Sequence, residues 1–487
     1  MRNISSEIGD ITARARFKFL EKEEEDLIHE KSLSCLQEFG VLVRSPSVLK
    51  LLENSGAIID EKTKIARIPE NMVKEALEKV PKRIRLCARD SKHDMEIPVE
   101  SIPYIATTGL AVYMTDLDSG EKRRANREDL AQFARLANAL SGADFFWTTV
   151  VPMDVPEATH TVHELWTSLQ NTVKHVQQIE VRDAEDARTQ IEIASNIVGG
   201  DDKLRRRPIF SAVCSPISPL TFGKGTVEAQ VELAKAGIPV ISMNMPLAGL
   251  ASPVTLAGTI TLVNVENLAS LVISQSAANG APFVYSSDSV PADMTTGGPN
   301  FGAPEVPLLM TGFGQMAKRY ELPCMVGDWG FGDTQLGMKG SFSEMVSTAL
   351  DTFSGTDLCS GLGSIDDAKG ASLEQVVIDA YAWDNFRGFL RTFKISEETI
   401  ALDVVKQVGH GNTFLTHPHT AKNFKKELFF YDQKKLAWEA TLSTKMVPEA
   451  KEIVKRILKE HEVTPIDRDI VAKGDALIKG YEKKLVA

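Results

Sequence analysis

Ile209-Phe-Ser-Ala-Val213, a loop from Cys214 to Gly223, the segment Lys224–Ala236, and then Val240-Ile-Ser-Met243 decide how this chain folds. Two short apolar runs with no polar face flank a helix-length segment closed by Gly237. Runs of that kind are strands buried on both faces, and a helix between two of them makes a parallel crossover. Working outward, the same unit recurs. Apolar runs stand at Tyr104–Thr108, Phe145–Val150, His175–Ile179, Ile209–Val213, Val240–Met243, Phe283–Ser287, Met325–Asp328 and Asp357–Ser360. Helical candidates follow them at Arg127–Leu140, His160–Leu169, Ala184–Asn196, Lys224–Ala236, Val254–Ala278, Pro304–Tyr320, Phe342–Phe353 and Ser372–Phe393. Strand and helix alternating eight times is the sequence pattern of an α/β protein with a (β/α)8 TIM barrel. A doubly wound sheet would carry a phosphate-binding glycine turn after its first strand, and G-x-G-x-x-G is absent there.

The barrel accounts for residues 102–400. Before it, residues 1–101 read as an α+β cap, with helices over Glu23–Phe39, Pro46–Asn54 and Pro69–Val80 and short alternating segments between them. Ser45 is placed to cap the second helix, and Pro69 to open the third. After it, residues 401–487 read as a polar loop and charged amphipathic helices packed on the barrel.

Composition narrows the function. The net charge of -11 over 487 residues argues against nucleic acid or an anionic membrane as the main partner. Lys203–Arg207, the densest basic run, reads as a solvated loop before a strand. Neither a signal-type apolar core at the N-terminus nor a run of eighteen apolar residues is present, and the five cysteines form no C-x-x-C. A reduced, cytoplasmic protein is the expectation.

A barrel places its chemistry at the carboxyl ends of its strands. The richest of these ends is Pro323-Cys-Met-Val-Gly-Asp-Trp-Gly-Phe-Gly-Asp-Thr334, a strand running into a glycine-loosened loop with Trp329, Phe331 and the acids Asp328 and Asp333. Aromatic faces beside carboxylates suit a permanent cation, which ring quadrupoles attract. Taken alone, the two aromatics read more readily as the cap of a core than as a site. No thiolate zinc site is expected, because Cys324 starts its strand while Cys214 and Cys359 lie near strand ends. P-loop, G-x-S-x-G and H-E-x-x-H patterns are absent, as is the Asp-x-His-x-x-Gly corrinoid-ligating motif. The inventory describes a site that positions a reactant.

These segments resemble the trimethylamine methyltransferase superfamily, specifically its members without pyrrolysine. The likeness is carried by His29-Glu-Lys-Ser-Leu33 with Phe39-Gly-Val-Leu-Val43, Asn171-Thr-Val-Lys174, Cys214–Gly223, Met245-Pro-Leu-Ala-Gly249 with Pro253-Val-Thr-Leu-Ala-Gly258, Phe301-Gly-Ala-Pro-Glu305, Ala401-Leu-Asp-Val404 and Phe414-Leu-Thr-His-Pro-His-Thr420. The resemblance implies a TIM barrel that moves a methyl group from a methylamine to Co(I) of a separate corrinoid protein, with no cofactor or metal bound by this chain. The pyrrolysine position is replaced here by Phe331 or a neighbouring glycine, and assigned relatives of that type act on quaternary amines such as glycine betaine, proline betaine or carnitine. A quaternary nitrogen leaves as a neutral amine without activation, so the protein has only to hold, desolvate and aim it.

On that basis Trp329 and Phe331 are the expected cation faces, with Tyr104, Phe301 and Tyr285 as further rings and Asp328 as the acid. His417, His419, Asn171 or Lys174 would meet a substrate carboxylate, the histidines ranking first. The competing expectation is a barrel that binds a betaine without turning it over. A lyase or decarboxylase would need an acid–base pair that the strand ends do not offer. Homo-oligomers are common among enzymes of this size, and the sequence does not decide between them and a monomer.

Overall fold

The computed structural model describes residues 18–99, 102–330, 335–338, 342–390, 393–428 and 443–486. Its centre is an eight-stranded parallel sheet: β1 (Tyr104–Thr107), β2 (Phe146–Trp147), β3 (Val176–Gln178), β4 (Phe210–Val213), β5 (Val240–Asn244), β6 (Phe283–Ser287), β7 (Cys324–Asp328) and β8 (Leu358–Leu362). Each strand hydrogen-bonds the next in chain order, β8 returns to β1, and a parallel bridge between Ala106 and Phe145 closes the ring. The sheet therefore has no free edge, and the fold is the expected (β/α)8 barrel. All eight strands fall on the apolar runs.

Eight helices cover it: α1 (Arg127–Ala139), α2 (His160–Asn171), α3 (Ala184–Val198), α4 (Lys224–Ala236), α5 (Leu256–Ala277), α6 (Val306–Arg319), α7 (Phe342–Asp351) and α8 (Leu373–Leu390). Their starts have local causes. The Asn126 side chain accepts from Asp129 N while the Asp129 carboxylate accepts from Asn126 N, and Asp183 accepts from the amides of Glu185 and Asp186. Such caps satisfy amides that the first helical turn leaves without partners. Among the described residues α5 is the helix long and apolar enough to cross a membrane, and it is largely buried within the protein.

Two layers of apolar side chains follow from strand parity, because alternate residues of a strand face opposite sides. Ala106, Phe145, Trp147, Val213, Ile241, Val284, Met325 and Leu358 fill the barrel interior. A hairpin of Ile84–Leu86 and Met95–Ile97 closes the bottom, adding Ile84, Leu86, Met95 and Ile97 to the same core. The opposite faces pack against the helices, as Phe210, Val240, Phe283 and Tyr285 do. The N-terminal elements lie on the flank, where Lys22–Ser34 and Glu70–Lys79 pack on α5 and Val41–Val43 pairs with Thr221–Phe222 of the loop after β4.

The basic run departs from expectation. Asp201–Arg206 is a short helix whose acids begin it and whose basic residues end it, the arrangement a helix dipole favours. Arg207 after it bonds the Asp94 carboxylate through two nitrogens, at 2.7 and 3.0 Å.

Candidate functional site

The carboxyl ends of the strands enclose a cavity of about 720 Å³. Its walls are Gly109 and Leu110 after β1, Trp147 of β2, Ile179 and Val181 after β3, Val213 of β4 with Ser215 and Pro216, Met243 of β5 with Met245, and Phe301 in the loop after β6. Acids enter at Glu180, Asp288 and Asp367, and a base at Lys369. The walls are otherwise mostly apolar, and their two rings come from Trp147 and Phe301.

Asp288 ends β6. Its amide donates to Asn244 O at 3.0 Å, but among the described residues no hydrogen bond or ion pair reaches its carboxylate. Burial without a partner favours the neutral acid, so the carboxyl is pushed up to about 6. Glu180 differs. The His160 imidazole, 4.0 Å away, holds its carboxyl below the usual range, and the same contact raises the His160 imidazole. Asp288 is thus an acid in an apolar hollow that still lacks a positive partner.

The loop after β4 is held from behind. Glu266, buried in α5, accepts from Ser218 Oγ at 2.8 Å, from Leu220 N at 2.8 Å and from Asn244 Nδ2 at 2.9 Å. Glu266 is the one acid of the largely apolar helix Leu256–Ala277. In the fold it fixes the Ser218–Leu220 turn against the end of β5.

Of the residues expected to bind substrate, Phe301 lines the cavity and most of the others lie elsewhere. Trp329 is 1% exposed and packs against Trp383 and Phe386, with ring centroids 4.7 and 4.9 Å away, in the core between β8 and α8. Simple alternation from the inward Met325 would point Trp329 inward as well. Gly327 breaks that count: its φ is +87°, and the pairing of β7 with β8 shifts register between Met325 and Asp328. The bulge turns the indole outward, so for Trp329 the core-cap reading applies.

Tyr285 is fully buried on the outer face of β6, its hydroxyl donating to Asn264 Oδ1 at 3.3 Å. Tyr104 begins β1 and packs among the bottom-hairpin residues, at the opposite end from the cavity. Asn171 ends α2, accepting from Arg135 Nη1 at 3.0 Å and donating to Thr167 O at 2.8 Å. His417 caps the helix Pro418–Glu427 by accepting from His419 N, and its Nε2 lies 3.2 Å from Gln407 Oε1. Neither histidine lines the cavity. Lys174 is fully buried and donates to the carbonyls of Ala137, Leu140 and Ala143 at 2.7, 2.8 and 2.5 Å, holding the chain where α1 ends. Asp328 is the last residue of β7, and Phe331 and Asp333 fall outside the described residues.

Sequence reasoning missed Trp147 and Asp288 as site residues. Both could be reached by extending parity along their strands: Phe145, Trp147 and Thr149 share one face of β2, and Ser286 and Asp288 follow Val284 on β6. Among the described residues, no three His, Cys, Asp or Glu side chains gather as metal ligands. Cys214 is buried in apolar surroundings that push its thiol up to about 12.

Around the mouth stands a collar of exposed apolar side chains on the loops after five strands. They are Leu110 and Val112 after β1, Met153 after β2, Ile217 after β4, Leu250 and Val254 after β5, and Met294 after β6, the last 77% exposed. A rim of that kind marks a surface that meets another molecule.

Residues 3–484 match the family model described as Trimethylamine methyltransferase (MTTB). The trimethylamine methyltransferase MttB of Methanosarcina barkeri (strain Fusaro / DSM 804) is 30% identical over 467 residues, covering 94% of this chain and 93% of that one. A glycine betaine methyltransferase of Desulfitobacterium hafniense (strain Y51) is 27% identical over 421 residues, covering 85% and 86%. Among solved structures, the Methanosarcina barkeri monomethylamine methyltransferase MtmB superposes with a TM-score of 0.51 at 10% identity, over 93% of this chain and 90% of that chain, and so shares the fold. With a barrel of this form, and with relatives named as methyltransferases along nearly its whole length, the chain is a methyltransferase and belongs to the trimethylamine methyltransferase (MTTB) family.

Proposed function

We propose that this enzyme demethylates a quaternary amine and passes the methyl group to Co(I) of a corrinoid held by a separate protein. The substrate class includes glycine betaine, proline betaine and carnitine-like compounds. The observation that carries this is Asp288: an acid with no cationic partner among the described residues, in an apolar hollow shared with the rings of Trp147 and Phe301. A quaternary ammonium supplies the missing positive charge and needs no hydrogen bond to be held.

In the reaction one N–CH3 bond breaks, its electron pair stays on nitrogen to give a neutral tertiary amine, and the methyl group bonds to the reduced cobalt. The corrinoid supplies the nucleophile. This chain's residues bind the cation, exclude water and orient the bond to be broken, which requires no general acid or base. The exposed apolar collar around the mouth supports a protein partner that delivers the acceptor from above. A glycine betaine methyltransferase stands among the relatives, so a quaternary amine is within the chemistry of similar proteins.

Purified enzyme is mixed with a reduced corrinoid protein and a panel of quaternary amines, and methyl-Co(III) formation is followed by absorbance. At least one member is expected to yield it, with no demethylation when the corrinoid protein is left out. Silence across the panel, with trimethylamine active instead, would overturn the assignment.

A further inference from the structure

Beneath the cavity the barrel holds hydrogen-bonding groups with nothing to bond. Among the described residues neither Nε2 nor Oε1 of Gln177 has a partner, and neither does Nε1 of Trp147, although the two residues are 0% and 6% exposed. Leaving a buried polar atom unpaired costs about 1–3 kcal/mol, so three in one place need an occupant. Their placement is set by the sheet. Gln177 and Trp147 are register partners on β3 and β2 and therefore share a face. That face is the barrel interior, because Trp147 and Ile179, two residues beyond Gln177, both line the cavity. One layer lower, His175 is already engaged, with Nδ1 2.7 Å from Cys87 O and Nε2 2.9 Å from Ser211 Oγ. Trp147 thus lines the hollow itself, and Gln177 lies buried beside it in the same layer.

Charge decides what the floor can take. The cavity walls hold Glu180, Asp288 and Asp367 against one base, Lys369, which is 58% exposed at the rim and lies 3.8 Å from Asp367. A carboxylate brought to the floor would meet neutral donors alone, beneath a net negative wall, and would give up its hydration for little return. It would also leave Gln177 Oε1 unpaired, having no proton to donate. A hydroxyl both accepts and donates, and so can serve Gln177 and the Trp147 N–H together.

We infer that the preferred substrate is a quaternary amine whose far end is a neutral hydroxyl, of the choline type, and that Gln177 and Trp147 set this preference. The inference rests on the quaternary-amine reading above and, within that class, ranks a hydroxyl-bearing amine ahead of the carboxylate-bearing members named there. The hydroxyl seats on the floor and the ammonium lies higher, level with Asp288. Its methyl groups then face the opening where the acceptor arrives.

Calorimetry on the purified enzyme tests this with choline, glycine betaine and tetramethylammonium, each against wild type, Gln177→Leu and the near-isosteric Gln177→Met. Choline is expected to bind at least tenfold more tightly than glycine betaine. Either substitution should weaken choline about fivefold to tenfold while leaving tetramethylammonium unchanged. Glycine betaine binding as tightly as choline would overturn the inference, as would substitutions that weaken all three ligands equally, the mark of a structural role. If a variant fails to fold, the wild-type ranking still decides. Failure of all three ligands to bind would instead remove the quaternary-amine reading itself, which separates the two outcomes.

Discussion

Replacing Asp288 by Asn removes one charge from the cavity and almost nothing else. Side-chain size is kept, and no described hydrogen bond or ion pair to the carboxylate is lost. A cation in contact across a shared hollow lies about 5–6 Å from the carboxylate, and at an effective dielectric of about 20 the attraction is roughly 3 kcal/mol. At 1.4 kcal/mol per decade that is about a hundredfold in affinity for a quaternary ammonium. Tetramethylammonium is the cleanest probe, because it has no second functional group to confuse the reading. Its Kd for wild type and Asp288→Asn, measured by calorimetry at pH 7.5, should differ by that factor.

The pH dependence must agree. The Asp288 carboxyl is raised by burial to about 6, so it is largely neutral at pH 5 and ionised at pH 7.5. Affinity for the cation should therefore climb as pH rises through about 6 in wild type and stay flat in the Asn variant. The stability effect runs the other way. The folded state holds this proton more tightly than the unfolded chain, so unliganded enzyme loses stability as pH rises from about 4 to about 6, and a bound cation restores it. A change in Kd below threefold, or the same pH profile in both proteins, would refute the claim that this carboxylate holds the cation.

Three further substitutions separate the site from its scaffold. Gly109→Ala would bring a Cβ to 2.7 Å from Trp147 Cε2 and 3.0 Å from Ile179 Cδ1, so the indole must shift; tetramethylammonium affinity should fall about tenfold, with the circular dichroism spectrum unchanged. Trp329→Leu empties part of the core between β8 and α8 and should cost about 3 kcal/mol in denaturant unfolding, while the folded protein keeps its Kd for tetramethylammonium within threefold. Lys174→Met leaves the carbonyls of Ala137, Leu140 and Ala143 without their buried donor, and about 3 kcal/mol of stability should be lost in the same assay with ligand affinity intact.

The barrel was legible in the sequence because its cause is local. A strand buried on both faces has to be apolar throughout, and a helix that covers it shows its period over three or four turns, as Lys224–Ala236 does between Phe210–Val213 and Val240–Asn244. The site was legible only in part. That acids and rings gather at strand ends follows from the fold class, and Phe301 lies there as expected. Which ring of β7 faces inward depended on Gly327, whose left-handed φ cannot be read from the letters Val-Gly-Asp-Trp. The histidines at 417 and 419 are the expected partners of a substrate carboxylate, yet the proline between them opens a helix and the first histidine caps it. Asn171 and Lys174 belong to a matching motif whose work is structural: both fasten α1 to the elements beside it.

Gly327 carries a consequence for how such a barrel can be re-engineered. Trp329, the first residue beyond β7, takes the opposite side from the one an unbroken zigzag would assign. Straightening the backbone at that point would swing the Trp329 indole out of the core and into the hollow. The enzyme would lose room for its reactant and a pillar of its wall in one move. A lone residue without a side chain thus decides, by the sense of one torsion, whether the widest ring on its strand supports the vessel or plugs it.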